Sequence, residues 1–173
     1  ALTGDFVDGD VDSLRTEVQP LSRLRSRLGT FFVPGNHEYY WGVDEWMIEF
    51  KRMGARVLHN SHEILTVGSA SLAIGGVPDH HGARFSESHR PEPARAFDGV
   101  PVGVPRVLLA HQPANQAVDA AARAGVALQL SGHTHGGQFF PWIILVSLAY
   151  RFWKGLGRHE SGMWVYVSRG TGY

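Results

Sequence analysis

Four short apolar runs, each emptying into a residue able to ligate a metal, constrain this chain more than any other feature. Residues 1–3 lead into Gly4-Asp5-Phe6-Val7-Asp8, and 30–33 into Pro34-Gly35-Asn36-His37-Glu38. Residues 106–110 lead into His111, and 127–130 into Gly132-His133-Thr134-His135-Gly136-Gly137. By length and apolar content the runs read as buried strands, and helical spacing of apolar residues fills the stretches between them. Strands alternating with helices predict an α/β (α+β) fold, a largely parallel or mixed sheet covered by helices. Sites in such folds gather at the carboxyl ends of strands. One polar residue there is coincidence; four, Asp5, Asn36, His111 and the His133/His135 pair, point to a built site.

The helical stretches carry their own punctuation. Leu14, Val18, Leu21, Leu24 and Leu28 recur at spacings of three and four, predicting a helix that Pro20 kinks or breaks and Gly29 ends. Asp44 is the expected cap of a second helix, whose stripe of Trp46, Met47, Phe50 and Met53 closes at Gly54. Ala117, Val118, Ala121 and Ala122 give a third helix a small-residue face, beginning near Pro113 and ending at Gly125. Residues 56–58, 64–67 and 72–75 read as short strands joined by turns, and 163–167 as the last strand. The stretch 79–103, rich in Pro, Gly, His and charge, reads as a long surface loop with His80, His81 and His89 solvated on it.

The residue types at the strand ends set the chemistry. On an extended strand His133 and His135 would face opposite ways, whereas a turn at Gly132 brings both to one point, with glycines supplying positive φ. An isolated His-x-His is most often a pair of surface loop residues; its company here changes that reading. Carboxylate, amide oxygen and imidazole together suit borderline or hard divalent ions such as Mn, Fe, Zn or Co. A carboxylate can bridge two ions, and a pair roughly 3.5–4 Å apart clamps the attacking and leaving oxygens of an in-line phosphoryl displacement. No covalent intermediate is then needed, consistent with a chain that has no cysteine and no serine-elbow motif. The formal net charge is zero with histidines neutral, so the chain lacks the broad basic footprint of a nucleic-acid binder. At 173 residues it is long enough for one domain with a real core.

Taken in order, Gly4-Asp5-x-x-Asp8, Gly35-Asn36-His37-Glu38, His111 after an apolar strand, and Gly132-His133-x-His135 resemble the signature of the calcineurin-like metallophosphoesterase family. The resemblance covers nearly the whole chain. It implies a four-layer sandwich, two mixed β-sheets flanked by helices, forming a single domain over 1–173 with a binuclear metal centre at the strand ends. Asp5 would bridge the two divalent ions, manganese among the candidates. Asn36, His111 and His133 would complete one ion, and His135 would serve the other. His37 would not be a ligand; it would face the scissile phosphate as general acid or transition-state stabiliser, with Asp8 orienting it. The implied activity is hydrolysis of a phosphate ester or pyrophosphate by attack of a metal-bridging hydroxide.

One departure stands out against that pattern. The family's first motif, Asp-x-His on the first strand, has no counterpart, so the chain is expected to be truncated at both ends, its last residues Thr171-Gly172-Tyr173 reading as a cut turn. The ion served by His135 is then short of two ligands.

The wording of residues 35–40 and 132–138 is most similar to a bacterial subgroup attached to, or acting near, membranes. Some of its members cleave the pyrophosphate of a lipid-linked sugar nucleotide, so a membrane-associated or cytoplasmic location and a lipid-linked substrate are expected. The run 139–153 is too short to span a membrane, which takes about 20 apolar residues. Its aromatics, with Arg151, Lys154 and Arg158 beside them, suit peripheral membrane contact, and burial in the core is the alternative. Two other functions stay open, a nuclease of the same superfamily, which the neutral charge disfavours, and a catalytically defective metal-binding fragment. No nucleic-acid partner is expected.

Overall fold

The computed structural model describes residues 1–170, so the turn expected at 171–173 lies outside the described residues. Two strands, β1 (Phe31–Phe32) and β2 (Arg56–Val57), pair in parallel, and a bridge from Leu2 to Phe32 extends this small sheet. The large sheet holds β3 (Ser61–Val67), β4 (Ala70–Gly76), β5 (Arg106–Leu109), β6 (Leu128–Ser131), β7 (Gly155–Arg158) and β8 (Trp164–Val167). Its order is β3-β4-β5-β6-β8-β7, parallel across the middle and antiparallel at the two hairpins that form its edges. This is the mixed sheet the alternation predicts.

Strand alternation decides how the layers stack. Successive side chains point to opposite faces. Phe31 and Val33 therefore pack with Leu58 against Ile74 and Leu109 of the large sheet, joining the two sheets face to face. Phe32, between them, turns outward into a cluster with Val11, Val18, Trp46 and Phe50 from α1 (Val11–Val18) and α3 (Val43–Arg52). On the far side, Leu108, Val165 and Val167 meet Ala96, Phe97, Val118 and Ala121 from α4 (Pro93–Ala96), the residue after it, and α5 (Asn115–Arg123). The result is helices, sheet, sheet, helices: the four layers expected.

Phe50 lies flat on Phe32, with ring centroids 3.9 Å apart and planes 10° from parallel, and both rings are buried. Truncating a ring in such a place leaves a cavity that the packed surroundings refill only in part. Phe50→Ala is expected to cost about 3–5 kcal/mol by chemical denaturation. An unchanged midpoint and slope would show that the outer helical layer does not depend on this stack.

Several local expectations need correction. The helix predicted through Leu28 stops earlier: α1 ends at Val18, and a 3-10 segment, Gln19–Arg23, carries Pro20 in its first turn, where the missing N–H costs nothing. Leu24 then turns extended and is exposed, so its spacing does not mark a buried face. Asp44 is not a cap. Gly42, at φ +90°, takes that place, and Asp44 and Glu45 lie in the first turn near the unpaired N–H groups.

The stretch 79–103 is not a solvated loop. It contains 3-10 turns and α4, and it buries Ala96 and Phe97 on the large sheet. His89 within it is buried, its Nδ1 2.8 Å from the Tyr39 hydroxyl. Pro and Gly mark irregular backbone, but they do not forbid burial when side chains close the hydrogen bonds. Asn60 does so here, donating to the Arg90 carbonyl at 2.7 Å and accepting from the Glu92 N–H at 2.8 Å. Strand β7 was not expected, because Gly155-Leu156-Gly157-Arg158 offers no β-branched residue to signal an edge strand.

Candidate metal centre

The four strand ends converge. Thr3, just beyond the Leu2 bridge, accepts a 2.6 Å hydrogen bond at its carbonyl from His111 Nδ1, at the end of β5. Gly132, at the end of β6, donates its N–H to the His111 carbonyl at 2.9 Å. Asn36 opens a short helix, α2 (Asn36–Tyr40), directly after β1. The sequence suggests a loop there; the structure has a helical turn instead.

His111 is the hub. Only 1% exposed, it spends its Nδ1 proton on Thr3, which aims Nε2 at the other groups. Asp5 Oδ2 lies 2.9 Å from that nitrogen, Asn36 Oδ1 3.2 Å and His133 Nδ1 3.2 Å. Two oxygens and a second imidazole nitrogen thus crowd one lone-pair-bearing nitrogen. Such a convergence of acceptors is unfavourable unless something positive lies among them, a proton or a metal ion. The donor set, one carboxylate, one amide and two imidazoles, fits a divalent cation of the borderline class.

The electrostatics follow from that crowding. Burial alone would raise the Asp5 carboxyl, but its contact with His111 outweighs burial and holds it below the usual carboxylate range. Burial would likewise lower His111, and the Asp5 carboxylate reverses the sign, raising it. For His133, burial and then the neighbouring His111 outweigh the opposing charge of Asp5 and bring it down to about 4. A neutral imidazole at working pH is the form that ligates a metal.

The backbone is bent to make this geometry. Asp5 at φ +59°, His133 at +69° and His135 at +49° are three of the four non-glycine residues with positive φ among the described residues. Left-handed backbone is costly for such residues and gathers at functional sites. Gly136 and Gly137 supply positive φ as expected, but at Gly132 the strain passes to His133. Gly35 is required for space: a methyl group there would overlap Asp5 Oδ1 and lie 2.8 Å from His111 Cε1.

His37 and His135 stand apart from the donor cluster. Together with Asp5, Phe6, Val7, Asp8, Gln138 and Phe139 they line an open cleft of about 620 Å³ beside it. His37 Nδ1 is 2.6 Å from Asp8 Oδ1, the pairing suggested by the sequence motif, and the His37 N–H donates to Asp5 Oδ1 at 3.0 Å. So Asp5, Asn36, His111 and His133 come together, while His135, His37 and Asp8 form the adjoining wall.

Sequence reasoning passed over three polar side chains. Glu38, fully buried, accepts from backbone N–H groups of both adjoining loops. Its place three residues after Gly35 is the spacing of a capping box, a signal present in the sequence. Asp79 and Gln112, also buried, hold one another behind His111: Gln112 Nε2 donates to both Asp79 oxygens at 3.1 and 3.0 Å. Asp79 Oδ1 also accepts the His81 N–H at 2.9 Å. Nothing in spacing announces this pair, because 33 residues separate them.

The apolar run 139–153 adjoins the cleft. It contains α6 (Trp142–Ala149), of which only Val146 is buried. Thr134, between the two histidines, donates to the Trp153 carbonyl at 2.6 Å, and Tyr150 meets the His133 ring edge-on at 6.0 Å. No helix among the described residues is long and apolar enough to cross a membrane.

Comparison with known proteins agrees with the fold. The chain is 37% identical to a protein of Danio rerio named "Transmembrane protein with metallophosphoesterase domain", over 99% of this chain and 40% of that one. It is 38% identical to a metallophosphoesterase of Helicobacter pylori, over 98% of this chain and 44% of that one. It therefore spans less than half the length of these relatives. Among solved structures, the NAD nucleotidase of Haemophilus influenzae shares the fold, with a TM-score of 0.50 at 16% identity over 80% of this chain and 33% of that one. The profile of the calcineurin-like phosphoesterases matches residues 1–137, a stretch that contains all four strand ends and both histidines after β6. This chain belongs to the calcineurin-like phosphoesterase family.

Proposed function

We propose that the protein hydrolyses a phosphate ester or pyrophosphate with divalent ions held at the strand ends. The observation that carries this reading is the meeting of Asp5, Asn36 and His133 around Nε2 of His111. Divalent ions bound there would polarise phosphoryl oxygens and make a water molecule more acidic. Asp5 and His135, both on the cleft wall, would serve a second ion. With its Nδ1 held by Asp8, His37 keeps Nε2 for the leaving-group oxygen. The protein stripped with chelator should be inactive on an aryl phosphate and regain turnover with Mn, Co, Zn or Fe. No turnover with any of these ions would overturn the reading.

The same proposal extends to a lipid-linked substrate and peripheral membrane contact through 139–153. Phe140 is 81% and Leu148 78% exposed, and Ile144 and Leu145 are exposed beside them. Phe139, also exposed, lines the cleft, so the apolar surface runs into the site's mouth. Relatives in Danio rerio and Bos taurus are named transmembrane proteins with a metallophosphoesterase domain, which supports this reading. Burying one Leu or Phe contributes about 1.5–3 kcal/mol, so three such side chains make a usable anchor. Replacing Phe140, Ile144 and Leu148 together by Ser is expected to abolish vesicle association and cut turnover of a lipid-linked pyrophosphate at least about tenfold. Turnover of a soluble aryl phosphate should hold, since exposed substitutions change stability by about 0.5 kcal/mol or less. Equal loss on both substrates with a lower melting temperature would show that α6 is structural. Ile143 is left in place because it packs on Gly137.

A further inference from the structure

We propose that Glu38 is a positioning residue for the metal centre: its carboxylate holds Asp5 in its left-handed backbone conformation and locks the two strand-end loops together. The inference rests on the metal-binding reading above and assigns a role to a side chain outside the donor cluster.

Glu38 is 0% exposed. Its Oε2 accepts from the Gly35 N–H at 2.6 Å and the Asp5 N–H at 2.9 Å, and its Oε1 accepts from the Phe6 N–H at 2.8 Å. Gly35 belongs to the loop after β1, and Asp5 and Phe6 to the loop after the Leu2 bridge, 33 and 32 residues away from Glu38. One side chain thus satisfies donors of two loops whose backbones are tied just before them by the Val33 N–H donating to the Leu2 carbonyl at 3.0 Å.

The consequences reach the donor atoms in two steps. First, the hydrogen bonds at the Asp5 and Phe6 N–H groups flank the Asp5 Cα and hold that residue at φ +59°, a conformation that costs a non-glycine residue energy. Second, that backbone aims the Asp5 carboxylate, so that Oδ1 meets the His37 N–H at 3.0 Å and Oδ2 meets His111 Nε2 at 2.9 Å. The hydrogen bonds of the Glu38 carboxylate go to backbone N–H groups.

A carboxylate is required rather than merely a polar group. Three N–H donors converge on two oxygens, and a buried amide offers only one acceptor. Glu38→Gln would turn an NH₂ toward a backbone N–H, either opening one loop or rotating Asp5. Burial raises the Glu38 carboxyl's proton affinity, and the three N–H donors work against that rise by favouring the charged form. A purely structural clamp would also be lost in Glu38→Gln, so the readout must lie at the metal.

The test compares purified wild-type protein with Glu38→Gln by calorimetric titration with Mn²⁺ and by amide hydrogen exchange of the metal-free proteins. Expected are a roughly 10–100-fold weaker Mn²⁺ affinity, as for other groups that orient ligands, and faster exchange at Asp5, Phe6 and Gly35 with unchanged far-ultraviolet dichroism. Unchanged affinity, or exchange at these three amides as fast as at exposed loop amides in the wild type, would overturn the inference. Wild-type protein that binds no Mn²⁺ would overturn the metal reading itself, and slow wild-type exchange would then still support the clamp. If Glu38→Gln does not fold, Glu38→Asp takes its place. It keeps the charge but is one methylene short of spanning both loops, so weakened Mn²⁺ binding is again expected and wild-type affinity again overturns the inference.

Discussion

Asp5→Asn is expected to lose metal binding and turnover together while the fold stays near native. Asn keeps a carbonyl oxygen where Asp5 Oδ1 accepts the His37 N–H, so the loop after the Leu2 bridge retains that tie. Lost is the negative charge set 2.9 Å from His111 Nε2, which the proposal assigns to both ions. Metal ions in such sites supply several kcal/mol of transition-state charge stabilisation, and each 1.36 kcal/mol is tenfold in rate, so turnover should fall by about 10³-fold or more. The core clusters contain neither Asp5 nor its partners, which keeps the stability change small. A second consequence separates a charge effect from misfolding. His111 is raised in the wild type because the Asp5 carboxylate overrides burial, so in Asp5→Asn its titration should move down. Wild-type turnover of an aryl phosphate by Asp5→Asn at saturating Mn²⁺ would sink the proposal. His133→Ala should show the same loss of metal, since it removes a donor 3.2 Å from His111 Nε2.

The sequence was legible where chemistry and period coincide. A strand that ends in Asp5, Asn36, His111 or His133 announces both a buried run and a polar terminus, and all four ends meet in space. Trp46 and Phe50 declared the buried face of α3 for the same reason. Illegible were the features that depend on partners distant in the chain. Phe97 reads as one aromatic in a Pro- and Gly-rich stretch, and only the sheet face over Ala73 and Leu108 makes it core. Asp79 and His89 read as solvated until Gln112 and Tyr39 are known to lie against them. The long leucine spacing misled because Pro20 sets a tighter turn, after which the chain has no reason to keep a helical face inward. Glu38 is intermediate: its capping spacing was visible, but its second role, reaching Asp5 and Phe6, was not.

His37→Ala is expected to separate chemistry from metal binding. The side chain is not among the groups that converge on His111; it lines the cleft, with Nδ1 2.6 Å from Asp8. Its backbone N–H, which donates to Asp5, is kept in the alanine variant, so the aim of the Asp5 carboxylate survives. Metal content should therefore match the wild type. If His37 protonates the leaving oxygen, its removal should lower the rate by about 10²–10⁴-fold, the usual contribution of a positioned general acid. The size of the loss should depend on the leaving group. A nitrophenolate departs without a proton, whereas an alkoxide needs one, so an alkyl phosphate should lose far more than a nitrophenyl phosphate. Asp8→Asn should show a smaller loss with the same dependence, because an amide at that place no longer holds the His37 ring by charge. Equal losses on both esters would move His37 from proton donor to electrostatic support of the phosphoryl group. One ion fewer by metal analysis would instead make it a ligand and redraw the division between the donor cluster and the cleft wall.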